Sequence, residues 1–549
     1  MTEKLRPILG IAEELNLKED ELELFGRYFA KISFKVLERL KDKKTGKYIF
    51  VTAITPTPLG EGKTVTAIGL SQALNKIGKK SICTLRQPSM GPLFGIKGGA
   101  TGGGKSQVLP KEEINLHFTG DFHSVGYAHN LLSAILDTYL QKGNKLGLDI
   151  SEVFWPRVVD INDRALRHII LGLGGKADGI PRESFFDITP ASEVMSILSL
   201  STDLEDLKKR LARITVGIDQ NKKMINSDDL KSSGAMAVIL KKAFNPNLAQ
   251  TSEGTPAFIH SGPFANISHG NCSVISDLIA LKLADYIVTE SGFGADCGAE
   301  KLLNIKCRES GLKPDLAVLV ATVKSLMMHG IGIYDKKLID QEDLQILERG
   351  CQNLQKHIDN LKLFGLPVLV AINRFPEDSE AELSLLKGKS LEAGADDVAV
   401  NEVFDKGSAG GLELAEKTAK LCEGKGSFRF LYEGGTIKEK IDLIAKKIYG
   451  ASEVLYYPLA EKRIDLFNSW ALDNLPICIA KTCYSLSHDP KLKGKPQGFR
   501  FPIEDIRPAT GAGYLYALAG DIMTMPGLPT SPAAFNFDLD KDGTITGLT

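Results

Sequence analysis

The chain has 549 residues, a formal net charge of −1 and 43% hydrophobic residues, ample for a large buried core and too long for one simple domain; at roughly 150 residues per domain, two to four are expected. Near-neutral charge excludes bulk attraction to nucleic acid or an anionic membrane, so an anionic ligand must be held by a local site. The longest apolar runs, such as Leu366–Ile372, fall far short of the about 20 residues that span a bilayer, and the charged N-terminus lacks the apolar stretch of a secretion signal, so a cytoplasmic location is expected.

The opening fifty residues read as helix, with apolar positions recurring at three and four. Tyr48–Thr55 (YIFVTAIT) is a β-rich apolar run, followed by a Gly/Pro loop and a helical stretch, Thr64–Ile77. Lys80–Leu85 reads as a second strand. Ala257–His260, Tyr286–Thr289, Leu316–Ala321, Val368–Ile372 and Asp397–Val400 are further buried-strand candidates, mostly separated by helical stretches. This alternation predicts an α/β fold with a mainly parallel sheet flanked by helices, and ligands at the carboxyl ends of its strands. Cys307–Asp315 and Gly424–Gly435 are candidate domain boundaries.

The eight cysteines are scattered without a CxxC pair, which predicts reduced, buried thiols. The nine histidines show no zinc-binding spacing; His117, His123 and His129, six apart, do not share a helical face. Asp538, Asp540, Asp542 and Gly543 imitate the start of an EF-hand loop. Its twelfth position would be Thr549, with no bidentate Glu and no exiting helix, so a β-hairpin turn is expected.

The segment Thr55–Thr64 (TPTPLGEGKT) sits between a strand and a helix, and its GK[ST] core fits a phosphate-binding loop. Gly60 and Gly62 allow backbone N–H groups to approach phosphate oxygens at a helix N-terminus. Lys63 brings a point charge to the β/γ-phosphates and Thr64 a hydroxyl for Mg²⁺. The loop is a variant, with Thr57 where the strict pattern has Gly. Leu85–Lys105 then places six glycines between Gly95 and Gly104, a composition suited to close backbone approach to an anion, with Arg86 and Lys97 adding charge.

These two segments, together with Asn115–His123 (NLHFTGDFH), Trp155–Arg167, Ile180–Glu193, His260–Gly270 (HSGPFANISHG), Thr289–Lys301 (TESGFGADCGAEK), Val320–Gly330, Ala371–Phe375, Ala480–Pro490 and Met523–Pro529, resemble the formate–tetrahydrofolate ligase family, in order along almost the whole chain. The resemblance implies ligation of formate to tetrahydrofolate at the expense of ATP, giving 10-formyltetrahydrofolate, ADP and phosphate through formyl phosphate. It implies three parts: residues 1–312 binding nucleotide and formyl phosphate, 313–435 contributing to a folate site, and a C-terminal domain, 436–549. Carried over position by position, it implies Lys63, Arg86 and Asp121 as catalytic residues. Thr57, Pro58, Leu59, Gly60, Glu61, Gly62, Lys63 and Thr64 would hold ATP, with Thr64 and Asp121 for Mg²⁺. Lys97, Gly98, Gly99, Phe264, Asn266 and His269 would hold formyl phosphate, and Phe375 and Phe404 the folate. A helix cap at Asp121, and core packing for the aromatic residues, remain alternative readings. The expected partners are small molecules, with a homotetramer and a monovalent cation implied by the family. The chain departs from the family pattern at Gln87 (Glu), Thr101 (Ala), Lys105 (Tyr), Lys324 (Arg), Met327 (Lys), Ile331 (Gly), Phe404 (Trp) and Cys483 (Gln). Another carboxylate or amine acceptor, or an inactive regulatory paralogue, therefore stays open at this stage.

Overall fold

The computed structural model describes residues 5–96, 101–424, 426–520 and 522–548. Its centre is a twelve-stranded sheet: β1 (Leu22–Leu24), β2 (Ala30–Ile32), β3 (Lys47–Ala53), β4 (Ser81–Leu85), β5 (Gly102–Gly103), β6 (Ser106–Leu109), β7 (Asn247–Thr251), β8 (Pro256–Ile259), β9 (Tyr286–Gly294), β10 (Leu316–Ala321), β11 (Val368–Asn373) and β12 (Asp397–Asn401). The main path runs β1-β2-β7-β8-β4-β9-β3-β10-β11-β12, with β6 joining β7 and β5. From β8 to β12 every neighbouring pair is parallel; β1, β2, β7 and β8 form an antiparallel margin.

The parallel strands are apolar runs because both faces are covered. Phe50, Ile82, Ile287, Leu319 and Val370 enter one core layer. Their chain neighbours Ile49, Cys83, Val288, Val318 and Leu369 enter the other, where Ala67, Leu70 and Leu74 meet them. Those three residues lie on α1 (Lys63–Lys76), which approaches the end of β12 so closely that a Cβ on Gly69 would stand 2.3 Å from Val403 Cβ. Further helices that position the site are α2 (Asp121–Gln141), α3 (Val274–Leu283), α4 (Val323–Ile331) and α5 (Leu344–Leu363).

The strand expectations hold for all seven candidate runs, with β10 at the expected bounds and β9 extending to Gly294. The opening fifty residues differ from the helical reading. Ile8–Glu14 and Val36–Leu40 are helical, but β1 and β2 lie between them. Three-residue strands carry almost no periodic signal, and β2 is fixed by pairing with β7, far along the chain. The strands between 316 and 401 continue the same sheet as those before residue 312. In the C-terminal part, Glu453–Tyr456 pairs with Arg500–Ile503, and Ile477–Ala480 with Tyr514–Leu518. All eight cysteines are buried and none is joined in a disulfide. Asp538–Leu539 and Ile545–Thr546 form the expected hairpin, with Asp540 accepting from Asp542 and Thr544 N–H. No helix among the described residues is long and apolar enough to cross a membrane.

One buried carboxylate joins the layers under this sheet. Asp277, on α3, accepts from Tyr48 of β3, from Thr84 of β4 at 2.6 Å, and from Lys306. The Asp277 and Lys306 side chains are both fully buried. Removing one partner strands the other charge in a low dielectric, a loss of about 3–5 kcal/mol. Asp277→Ala is expected to lower the urea unfolding midpoint by the equivalent of that loss, and a wild-type midpoint would show that the pair contributes nothing.

Candidate active site

The carboxyl ends of the parallel strands supply the site. After β3 the chain enters the loop Ile54–Gly62. Gly60 and Gly62 hold φ of +78° and +73°, a region that disfavours side chains. Pro58, Leu59 and Gly60 form its exposed tip, whereas Thr57 and Glu61 are buried. The Glu61 carboxylate accepts from Thr57 N–H at 2.7 Å and from Ser325 Oγ of α4 at 3.3 Å, and lies 3.7 Å from Lys63 Nζ. The end of β11 braces the loop from the side: Asn373 Nδ2 donates to the Glu61 carbonyl at 2.7 Å, while Asn373 Oδ1 accepts from Thr66 Oγ1 and from Asn401 Nδ2.

Glu290, on β9, joins the loop to the next strand. Its carboxylate accepts from Thr64 Oγ1 at 2.6 Å, and from Arg86 Nε and Nη2 at 3.4 Å each. Arg86 directly follows β4 and also donates to the Pro263 carbonyl at 3.2 Å. The backbone passes close here, since a Cβ on Gly292 would stand 2.9 Å from Arg86 Nη1. Pro263 opens the stretch carrying Phe264, Asn266 and His269. Phe264 packs with Ile267, Ala480 and Leu518, and Asn266 is half-buried. His269 is fully buried, and neither ring nitrogen has a hydrogen-bond partner among the described residues. Burial, and then the charges of Lys306, Arg86 and Lys301, hold its pKa well below the usual histidine value.

Phe375 and Phe404 follow β11 and β12 and are both exposed, at 38% and 54%. The Lys324 ammonium stands 5.4 Å from the Phe375 ring centre. The Phe404 ring lies over Gly103 and Gly104, and its carbonyl accepts from Lys105 N–H at 2.8 Å. The structure thus brings Thr57, Glu61, Lys63, Thr64 and Arg86 together, with His269 close enough to Arg86 to feel its charge. Asp121 stands apart at the start of α2. Its buried carboxylate is 2.8 Å from Lys31 Nζ and accepts from Asn247 Nδ2 at 2.8 Å; the residue is the first of its helix, after the N-cap Gly120. Lys97, Gly98 and Gly99 lie outside the described residues. Gln87 and Thr101 are buried, Met327 lies in the α4 core and Cys483 is buried.

Sequence reasoning did not single out Glu290, Ser325 or Asn373. The sequence offers for Glu290 no more than one acidic residue directly after the apolar run Tyr286–Thr289, which carries no pattern. No group of three or more His, Cys, Asp or Glu residues able to hold a metal occurs among the described residues. Thr64 and Glu290 do offer two hard oxygen ligands side by side, the kind of small protein set that Mg²⁺ uses when phosphate and water complete its shell.

A mainly parallel α/β sheet with a glycine-hinged loop opening a helix after a central strand defines a protein of the phosphate-loop class. The family profile for formate–tetrahydrofolate ligase matches residues 1–549. The chain is 53% identical to the formate–tetrahydrofolate ligase of Roseiflexus castenholzii, covering 99% of this chain and 98% of that one. It is 54% identical to those of Desulforamulus reducens, covering 99% and 97%, and of Roseiflexus sp. strain RS-1, covering 99% and 98%. The chain belongs to the formate–tetrahydrofolate ligase family.

The geometry requires His269 to stay neutral. Its imidazole NMR signals are expected not to titrate between pH 8 and pH 5; a midpoint near the ordinary value of about 6.5 would contradict the burial and the neighbouring cations.

Proposed function

We propose that this chain ligates formate to tetrahydrofolate with ATP, giving 10-formyltetrahydrofolate, ADP and phosphate, and that formyl phosphate is the intermediate. The observation that carries the reading is the Thr64–Glu290–Arg86 bridge, which sets the phosphate loop beside a second cationic position across the intervening strand β9. ATP would lie on Thr57–Thr64, with Lys63 against its terminal phosphates. Thr64 and Glu290 would hold Mg²⁺, which when bound neutralises phosphate charge. A formate oxygen attacks the γ-phosphorus and ADP departs. Arg86 is placed to balance charge on the transferred group, and preorganised donors of this kind are the main catalytic resource in phosphoryl transfer. Asn266, His269 and Phe264 would line the formyl end.

The folate N10 amine then attacks the formyl carbon. The tetrahedral intermediate expels phosphate, breaking the carbon–oxygen bond that formate itself brought. The departing phosphate carries away the electron pair of the broken bond and takes the proton shed by nitrogen, leaving as hydrogen phosphate. Phe375 and Phe404 would hold the pterin between exposed aromatic faces. Asp121 acts in this reading through the fold, since Lys31 and Asn247 already engage its oxygens. Met327 and Cys483 are both buried.

A coupled assay with purified protein, ATP, Mg²⁺, formate and tetrahydrofolate should show 10-formyltetrahydrofolate and ADP forming together; ADP without formylated folate would overturn the proposal. In the same assay Phe404→Trp should lower the folate KM two- to tenfold with kcat little changed, since extra stacking area contributes about 0.5–1.5 kcal/mol. An unchanged or higher KM would remove Phe404 from the folate wall.

A further inference from the structure

Thr55, near the start of the phosphate loop, is gripped on every polar atom. Its N–H donates to Asn353 Oδ1 at 3.2 Å, its hydroxyl accepts from Asn353 Nδ2 at 3.0 Å and lies 3.0 Å from His357 Nε2, and its carbonyl lies 2.9 Å from His329 Nε2. Asn353 and His357 are four apart on α5 and share one face of it; His329 comes from α4. Thr55 is fully buried, as are Asn353 and His357.

Two of these side chains continue to the C-terminal part. Gly494 N–H donates to His329 Nδ1 at 3.2 Å, and Asn353 Nδ2 donates to the Gly494 carbonyl at 2.7 Å. Because Nδ1 accepts, the imidazole proton sits on Nε2, where it donates to Thr55. One neutral ring therefore passes a hydrogen bond from Gly494 to the phosphate loop. The segment carrying Gly494 is fastened at its other end by Lys481, whose buried ammonium meets Asp296 at 2.7 Å and the Ser485 carbonyl at 2.6 Å. Asp296 follows directly on β9, the strand that carries Glu290. Between the two anchors stands Tyr484, 41% exposed, with the Lys493 ammonium donating to its carbonyl at 2.9 Å. The Glu61 charge is among the influences on the Tyr484 hydroxyl, after burial and Cys483.

We propose that His329 and Asn353 are positioning residues that couple the segment 481–495 to the phosphate loop, so that a nucleotide bound at Gly60–Thr64 orders the loop and this segment together. The inference rests on the reading of that loop as the ATP site. Neither residue is placed to touch the phosphates: both act on Thr55, five residues before Gly60. The coupling is reciprocal: whatever nucleotide contributes to the segment, the segment contributes to nucleotide affinity.

Amide hydrogen exchange of the wild-type chain with and without Mg·ADP reads the coupling directly. Binding should slow exchange at residues 482–494. His329→Gln keeps an acceptor and a donor on one planar group, whereas His329→Phe has neither. His329→Phe should raise the ATP KM by about tenfold, leave the formate and folate KM values within about twofold, and lose the protection at 482–494; His329→Gln should restore both. A general structural defect would move all three KM values together and would overturn the assignment. Mg·ADP binding without protection of 482–494 overturns this inference alone, and that result is read on the wild-type chain whether or not His329→Phe folds. A wild-type chain that binds no Mg·ADP overturns the ATP reading and this inference with it.

Discussion

A carboxylate removed from water must be given partners, and the arrangement of this site follows from how Glu290 meets that demand. The residue is 5% exposed, midway along the buried parallel strand β9. It takes the Thr64 hydroxyl from the start of α1 and the Arg86 guanidinium from the end of β4. Those two groups belong to different crossover units, and only the adjacency of β3, β9 and β4 brings them to one carboxylate. Register is strict in such a sheet, because a one-residue slip would turn Glu290 to the opposite face.

The same economy of charge extends through the loop. Lys63 faces the Glu61 carboxylate at 3.7 Å, and Arg86 faces Glu290 at 3.4 Å. Each cation is therefore already oriented by a carboxylate before any phosphate arrives, and little reorganisation is asked of it at the moment of reaction. The aromatic faces of Phe375 and Phe404 sit two and three strands further along the sheet from β3, past β10. Polar and apolar duties are thus separated by strand order. In the proposed reading, anion handling falls to β3, β4 and β9, and the flat apolar surface to β11 and β12.

Much of this was legible in the sequence, and what was not has physical causes. A strand buried on both faces, such as Leu316–Ala321, is marked by its own composition. The placement of the loop Thr55–Thr64 between strand and helix was legible because an apolar run stops at a Gly/Pro-rich stretch and a helical pattern follows. The short strands β1 and β2 escaped notice because their partners, not their residues, make them strands. Glu290 was passed over because a single acidic residue after Thr289 carries no pattern; its role depends on Thr64 and Arg86, both more than 200 positions away. The assignment of Asp121 came from family resemblance, and no local pattern foretold that Lys31 and Asn247 would engage it. His329 and Asn353 likewise acquire meaning only from Gly494 and Thr55, which meet through tertiary structure.

The central claim is that formate gives one of its oxygens to phosphate on the way to the folate nitrogen. Formate labelled with ¹⁸O at both oxygens, turned over with unlabelled ATP and tetrahydrofolate, tests this in a single mass spectrum. The account predicts one ¹⁸O in each molecule of inorganic phosphate released and one in each formyl group. Phosphate free of label, formed as fast as formylated folate, would contradict it.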